Sequence, residues 1–395
     1  MESGEFMVRI IGKRSDGALL ATNSINATIN DIEQLGIIIN SRGAYLSEEL
    51  PIGTLTKFDI WESTDDILEL NENSVKDSLI GFAVGDAFGV PFEFMRRDII
   101  RANGVRKMIG NGSHSVPIGS WSDDTSMIVA TMDAIINDDA INYNHIMDNY
   151  IAWLNGNEFT SIDYTFGVGN TVFKALNRYY NGTDPLKCGG TAIKDNGNGS
   201  LMRILPISLY CIVNNLDSNE TKKIISEASS LTHAHDISKL SCYIYTEFLR
   251  EILRTKNPEM SLEYIHSIDY SGFSDEAIEA HKKILSETFI DIDDTEIKQS
   301  GYVVDTLEAV LYSILNTYDF ESAIICATEM GYDTDTIAGI TGSLAGIIYG
   351  YESIPEEWTK NLKKYDYLED LSIKYNKFLK KQDKNKVKCY NDSEV

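Results

Sequence analysis

Two stripes of glycine constrain this chain more than any other feature. Gly81, Gly85 and Gly89 recur every four residues in SVKDSLIGFAVGDAFG, and Gly339, Gly342 and Gly346 recur in TDTIAGITGSLAGIIYG. Each glycine inside a helix is unfavourable by ~1 kcal/mol relative to alanine, so a repeated one needs a compensating contact. Residues four apart share one helix face. A face stripped of side chains lets a second backbone approach closely. The stripes therefore predict a compact bundle with these two helices at its centre.

The surrounding texture agrees. From about Asp65 to Lys380 the apolar residues recur at helical spacing, with candidate helices that include Ser74–Phe88, Asp124–Ile136, Gly169–Tyr180, Leu201–Val213, Asp275–Glu287, Val303–Leu315, Thr334–Tyr349 and Glu356–Tyr375. Proline falls mostly between them, as at Pro185, Pro258 and Pro355. Residues 7 to about 62 read differently. MVRIIGKR and GALLAT flank Ser15-Asp16-Gly17 as a hairpin would. A helix-like stretch follows near Asn30–Ile39, and TKFDIWES resembles another strand. The expected organisation is a small α+β module over 1–65, an all-α domain over 66–380 and a polar, frayed tail over 381–395.

Composition narrows the function classes. A formal charge of −25 argues against general nucleic-acid binding, which needs clustered Lys and Arg. Five scattered cysteines (Cys188, Cys211, Cys242, Cys326 and Cys389) include no CxxC pair, so neither a disulfide framework nor a thiolate zinc site is expected. The apolar run Ile337–Tyr349 is too short for a membrane span and is broken by glycine. The start MESGEFMVRI carries Glu2 and Glu5 and lacks the apolar stretch of a signal peptide. A cytoplasmic location is expected.

Chemistry concentrates in two acidic segments. Ser122-Asp123-Asp124-Thr125 precedes one helical pattern, and Asp333-Thr334-Asp335-Thr336 opens another. Alone, the first is explained by N-capping and by the positive end of the helix dipole. The second offers more oxygen atoms than one cap requires. Neighbouring carboxylates repel, and a bound cation would cancel that repulsion. Together the two look like halves of one site for a pair of divalent ions, which prefer carboxylate and hydroxyl oxygens. Glu93 follows the Gly89-Val90-Pro91 helix stop, and Asp86 sits among small and apolar residues, a setting that implies buried hydrogen bonds.

Six segments carry a resemblance. GFAVGDAFGVPFEF, GSWSDDTSM, GNGSLMRILPISL, LTHAHD, GYVVDTLEAVLYSILNT and GYDTDTIAGITGSLAGIIYG occur in order from about residue 75 to 360. The chain thereby resembles the ADP-ribosylglycohydrolase family. The resemblance implies an all-α orthogonal bundle with a dinuclear Mg²⁺ (or Mn²⁺) centre, here preceded by the α+β module. It implies Ser122, Asp123, Asp124, Asp333, Asp335 and Thr336 as metal ligands, Ser122 standing where several relatives carry Thr. Glu93 and Asp124 are the implied catalytic pair, with Glu93 beside the metals or the attacking water. Asn198, Gly199, Ser200 and Met202 of the GNGSLMR turn, with His233 and Tyr302, are implied to hold the diphosphate, ribose and adenine side. His235, two residues from His233, would point elsewhere. TFGVGNT departs from relatives that carry Asp at its second position, where Phe166 stands, and that departure bears on acceptor recognition.

The implied reaction is hydrolysis at ribose C1″ through an oxocarbenium-like transition state. Its substrate would be an ADP-ribosylated protein side chain, arginine favoured, or a small acceptor. A different class of role is also open. The module over 1–65 would dock on an ADP-ribosyltransferase toxin and block it, as an immunity protein does. A catalytically silent relative and a generic two-metal phosphoesterase fit the acidic sets and motif order less well.

Overall fold

The computed structural model describes residues 73–392 except 157, with side chains through residue 382, and the backbone of five strands between residues 6 and 62. The chain divides into two compact units, Met1–Leu68 and Glu69–Val395. In the first, strands Phe6–Lys13, Leu19–Ala27, Ile37–Asn40, Gly43–Leu46 and Thr56–Glu62 form one antiparallel sheet in the order 2-1-5-4-3. Phe6 stands opposite Ala27 and Lys13 opposite Leu19, which is the pairing a hairpin across Ser15–Gly17 requires, although that turn lies outside the described residues. Of the helix expected near Asn30–Ile39, residues 30–36 also lie outside, and Ile37–Asn40 is a strand. The docking role expected of residues 1–65 concerns side chains that lie outside the described set.

The second unit is helical, and the glycine stripes meet at its centre. A Cβ on Gly85 would lie 2.0 Å from the Ala338 carbonyl oxygen, and one on Gly346 the same distance from the Asp77 carbonyl. No side chain fits there, so the Ser74–Gly89 and Thr334–Tyr349 helices touch backbone to backbone. Both are buried nearly all round. The rest of the core packs large side chains around them, among them Phe82, Phe88, Trp121, Trp153, Tyr245 and Phe248. Each contributes about 1.5–3 kcal/mol of burial energy.

Several helix limits differ from the periodicity, each for a local reason. The stretch expected as Leu201–Val213 is a 3-10 turn over Asn198–Arg203 followed by a helix from Leu205, because Pro206 is favoured in a first turn. Asp275–Glu287 shortens to Asp275–Ala280. There His281 turns inward, and its ring hydrogen-bonds with the Ser241 hydroxyl at 2.7 Å. Glu356–Tyr375 is two helices, Glu356–Asn361 and Tyr365–Asp392. They are parted where Lys363 donates its N–H to Gly119 at 2.9 Å and Lys364 takes φ +52°. The second runs past residue 381, where fraying was expected. Two helices escaped the periodicity, Arg97–Asn103 and Pro258–Ser267, the latter begun rather than interrupted by its proline. Among the described residues no single helix is long and apolar enough to cross a membrane.

Candidate active site

Asp86 is the first piece of the site, and it is structural. Its fully buried carboxylate accepts the Ser122 N–H at 3.0 and 3.1 Å, the Thr125 N–H at 3.1 Å and the Thr125 hydroxyl at 2.6 Å. It thus pins the start of the Asp123–Asp138 helix to the central helix pair. Burial pushes the Asp86 carboxyl up to about 6, while these hydrogen bonds hold it down. Asp86→Ala would strand two buried N–H groups and a hydroxyl. We expect a loss of at least about 3 kcal/mol in stability by chemical denaturation, since each of the three stranded groups costs about 1–3 kcal/mol.

The pinned helix start presents Asp123 and Asp124, both buried, to a cavity of about 370 Å³. From the opposite side the central helix pair delivers Asp333, Asp335 and Thr336. The Thr334 hydroxyl fixes that turn by donating to the Gly89 carbonyl at 2.8 Å. Glu93, extended just beyond the short Val90–Phe92 turn, completes the ring. Carboxylate oxygens of Glu93, Asp333 and Asp335 lie within 4.8 Å of one another. The two acidic segments therefore share one cavity.

So many carboxylates in one place are electrostatically costly. Burial, reinforced by the neighbouring acids, pushes Asp123, Asp124 and Asp335 well above the usual carboxylate range. Burial raises Glu93 too, but the His114 ring bonded to its carboxylate offsets part of that effect. The Asp124 Oδ2 atom is buried with no hydrogen-bond partner. An unpartnered oxygen among crowded acids is what hard divalent cations satisfy, and Thr336 adds a hydroxyl. The residues present fit such a centre.

Another wall of the cavity is built from the 3-10 turn. Asn198 donates its side-chain N–H to Asp333 at 2.9 Å and to the Thr306 hydroxyl at 2.9 Å, which ties the turn to the acidic ring. Gly199 permits contact with His233, since a Cβ there would lie 2.8 Å from the His233 ring. His233 is buried, and burial together with Arg203 lowers its pKa to about 3, so it faces the cavity as a neutral imidazole. Met202 lines the same wall. His235 turns away, its Nδ1 accepting the Ile237 N–H as a helix cap.

Three expected residues are not on the cavity wall. The Ser122 hydroxyl caps its helix by accepting the Asp124 N–H at 3.3 Å. Ser200 faces the core, where its hydroxyl accepts hydrogen bonds from Ser229 at 3.0 Å and Cys242 at 3.5 Å. Tyr302 acts through its backbone, bridged to Gly197, while Gly301 accepts the Asn198 N–H at 3.1 Å. Other residues join the site, some from the TFGVGNT stretch and some that no local pattern singled out. His114 holds Glu93, the Ser113 hydroxyl donates to the Glu93 carbonyl, and Val168, Gly169, Asn170, Thr171 and Val172 line the cavity. Gly167 packs on Asp123 at φ +85°, where a Cβ would lie 2.2 Å from Asp123 Oδ1.

Comparisons with known proteins converge. Over 304 residues the chain is 29% identical to the ADP-ribosylarginine hydrolase Tri1 of Serratia proteamaculans (strain 568), covering 76% of this chain and 78% of that protein. It is 28% identical to the ADP-ribosyl-[dinitrogen reductase] glycohydrolase of Rhodospirillum rubrum, covering 73% and 88%. A solved structure described as an ADP-ribosylglycohydrolase-related protein complex superposes with a TM-score of 0.66 at 26% identity, over 78% of this chain and 98% of the other. The sequence model of the ADP-ribosylglycohydrolases matches residues 68–386, the whole of the helical bundle that carries the acidic cavity, and the chain belongs to that family.

Proposed function

We propose that the protein hydrolyses the bond between ribose C1″ and the arginine side chain of an ADP-ribosylated protein, with two divalent cations, Mg²⁺ or Mn²⁺, in its acidic ring. The observation that carries this reading is that Glu93, Asp123, Asp124, Asp333 and Asp335 line one cavity whose wall also includes His233. The arginine linkage rests on the similarity to proteins named as ADP-ribosylarginine hydrolases.

Asp123, Asp124, Asp333, Asp335 and Thr336 would hold the cations. When bound, these supply Lewis acidity to the ribose hydroxyls and to water. The remaining work falls to the chain. Glu93 sits at the ring's edge with its carboxylate fixed by His114, placed to orient a water and to take its proton as the water attacks C1″. Asn198 couples the substrate loop to Asp333, so the position of the ribose and the shape of the acidic ring are set together.

The test offers the protein a panel of ADP-ribosylated acceptors (arginine, serine and nucleobase linked) and detects free ADP-ribose with and without EDTA. Release from arginine, abolished by chelation and restored by Mg²⁺ or Mn²⁺, is the expected result. No release from arginine, or release indifferent to chelation, would overturn it.

A further inference from the structure

A row of aromatic rings runs from Phe94 on the cavity wall through His114, and of its members only His114 has a part in the chemistry described so far. Phe94 lies 5.9 Å from the His114 ring, His114 lies 5.2 Å from Phe166, and Phe166 lies 6.5 Å from Tyr164. Phe94 is 65% exposed and Tyr164 51% exposed. Large apolar side chains so placed add nothing to the core.

The backbone holds one of them out. Phe94 adopts φ +65° and Tyr332 φ +66°, in the left-handed region that bulky side chains rarely occupy. The pair is locked by the Phe94 N–H donating to the Tyr332 carbonyl at 2.6 Å and the Tyr332 N–H donating to Met95 at 2.8 Å. Such strain persists where the surroundings impose it, and it clusters at functional sites.

Both phenylalanines adjoin the reacting centre along the chain. Phe94 follows Glu93, and Phe166 precedes Gly167, which packs on Asp123. A group leaving C1″ beside Glu93 therefore departs within reach of both rings. Five carboxylates and no Lys or Arg line the cavity, so even with two divalent cations in the ring no protein cation there repels a guanidinium. A guanidinium is cationic, planar and weakly hydrated, and it stacks on aromatic faces.

We propose that Phe94, Phe166 and Tyr164, ranged about His114, form the acceptor subsite and hold the arginine guanidinium by stacking. This rests on the arginine reading above. It assigns Phe94 and Phe166 to acceptor specificity and leaves ADP-ribose recognition to the 3-10 turn and His233.

The experiment measures kcat and KM on an ADP-ribosylarginine protein, and separately the Kd of free ADP-ribose, for the wild type, Phe94→Ala, Phe166→Ala and the Tyr replacements. Each Ala variant is expected to raise KM about tenfold while the ADP-ribose Kd stays within about twofold, and each Tyr variant to restore KM. Phe94 is exposed, so its truncation does not threaten the fold. An unchanged KM, or an equal loss of ADP-ribose affinity, overturns the subsite. So does a wild type that handles nucleobase-linked ADP-ribose through the same rings in preference to arginine. A wild type inactive on the arginine linkage overturns the functional reading itself, whereas an active wild type with indifferent variants overturns the subsite alone.

Discussion

Glu93→Gln should lower turnover of ADP-ribosylarginine by about a hundred- to ten-thousandfold, the range over which a positioned general base acts. The substitution keeps size and shape. It leaves intact the backbone carbonyl that accepts the Ser113 hydroxyl, and the side-chain amide still offers an oxygen to His114. What disappears is the capacity to accept a proton. Because Glu93 is bonded to His114 and lies against Asp333 and Asp335, the change also removes one charge from a crowded ring. The fold should therefore survive, and relief of repulsion should hold the melting temperature level or raise it. Single-turnover release of ADP-ribose with saturating cation, run beside thermal unfolding, separates the two effects. Full turnover in the variant would strip Glu93 of the proton-handling role and pass it to another group of the ring.

How much of this was visible beforehand depends on whether a feature is written locally. The glycine stripes were legible because a four-residue repeat within a helix has one physical use, and Gly85 and Gly346 meet the opposing backbone as that use requires. The acidic helix starts were legible for a similar reason: Asp333, Thr334, Asp335 and Thr336 exceed what a cap needs. Buried bonds to Asp86 followed from a charge set among apolar neighbours. Where one residue has two uses, spacing does not choose between them. Ser122 offers both a hydroxyl for a cation and a helix cap, and its hydroxyl accepts the Asp124 N–H. Ser200 and Tyr302 sit in segments that shape the cavity, but neither stands on the wall, and nothing in their spacing tells wall from core. Pro206 marked the start of a helix that apolar periodicity had begun four residues early. His114 reaches Glu93 from a loop 21 residues on. Only the folded chain makes that contact, so no local pattern announces it. The aromatic row is partly of the same kind: Phe166 stood out in TFGVGNT, but nothing local joined it to Phe94 and Tyr164.

Divalent cations should stabilise the protein by an amount that grows with pH, and this follows from the same crowded acids. Asp123, Asp124 and Asp335 bind protons more tightly folded than unfolded, because burial and mutual repulsion raise their pKa values above the ordinary 3.8. Without cations the folded state therefore holds more protons than the unfolded chain across the interval between 3.8 and the raised values. The stability these groups contribute is full below about pH 4 and is lost as pH rises through that interval, with Asp86 adding its share up to about 6. Bound cations reverse the balance, since they favour the ionised form and compete with the protons. At acid pH the protons win, and added Mg²⁺ or Mn²⁺ should leave the melting temperature nearly unchanged. At pH 8 a cation at a hundred times its dissociation constant should stabilise by about 2.7 kcal/mol per site. Differential scanning fluorimetry at pH 4.5 and 8, with EDTA or with each cation, reads the contrast directly. Replacing Asp335 by Asn removes both a ligand and a repelling charge, so that variant should be more stable than the wild type in EDTA and gain less from cations. Equal cation stabilisation at both pH values would mean that the ions bind elsewhere, and that the buried acids are neutralised by protons alone.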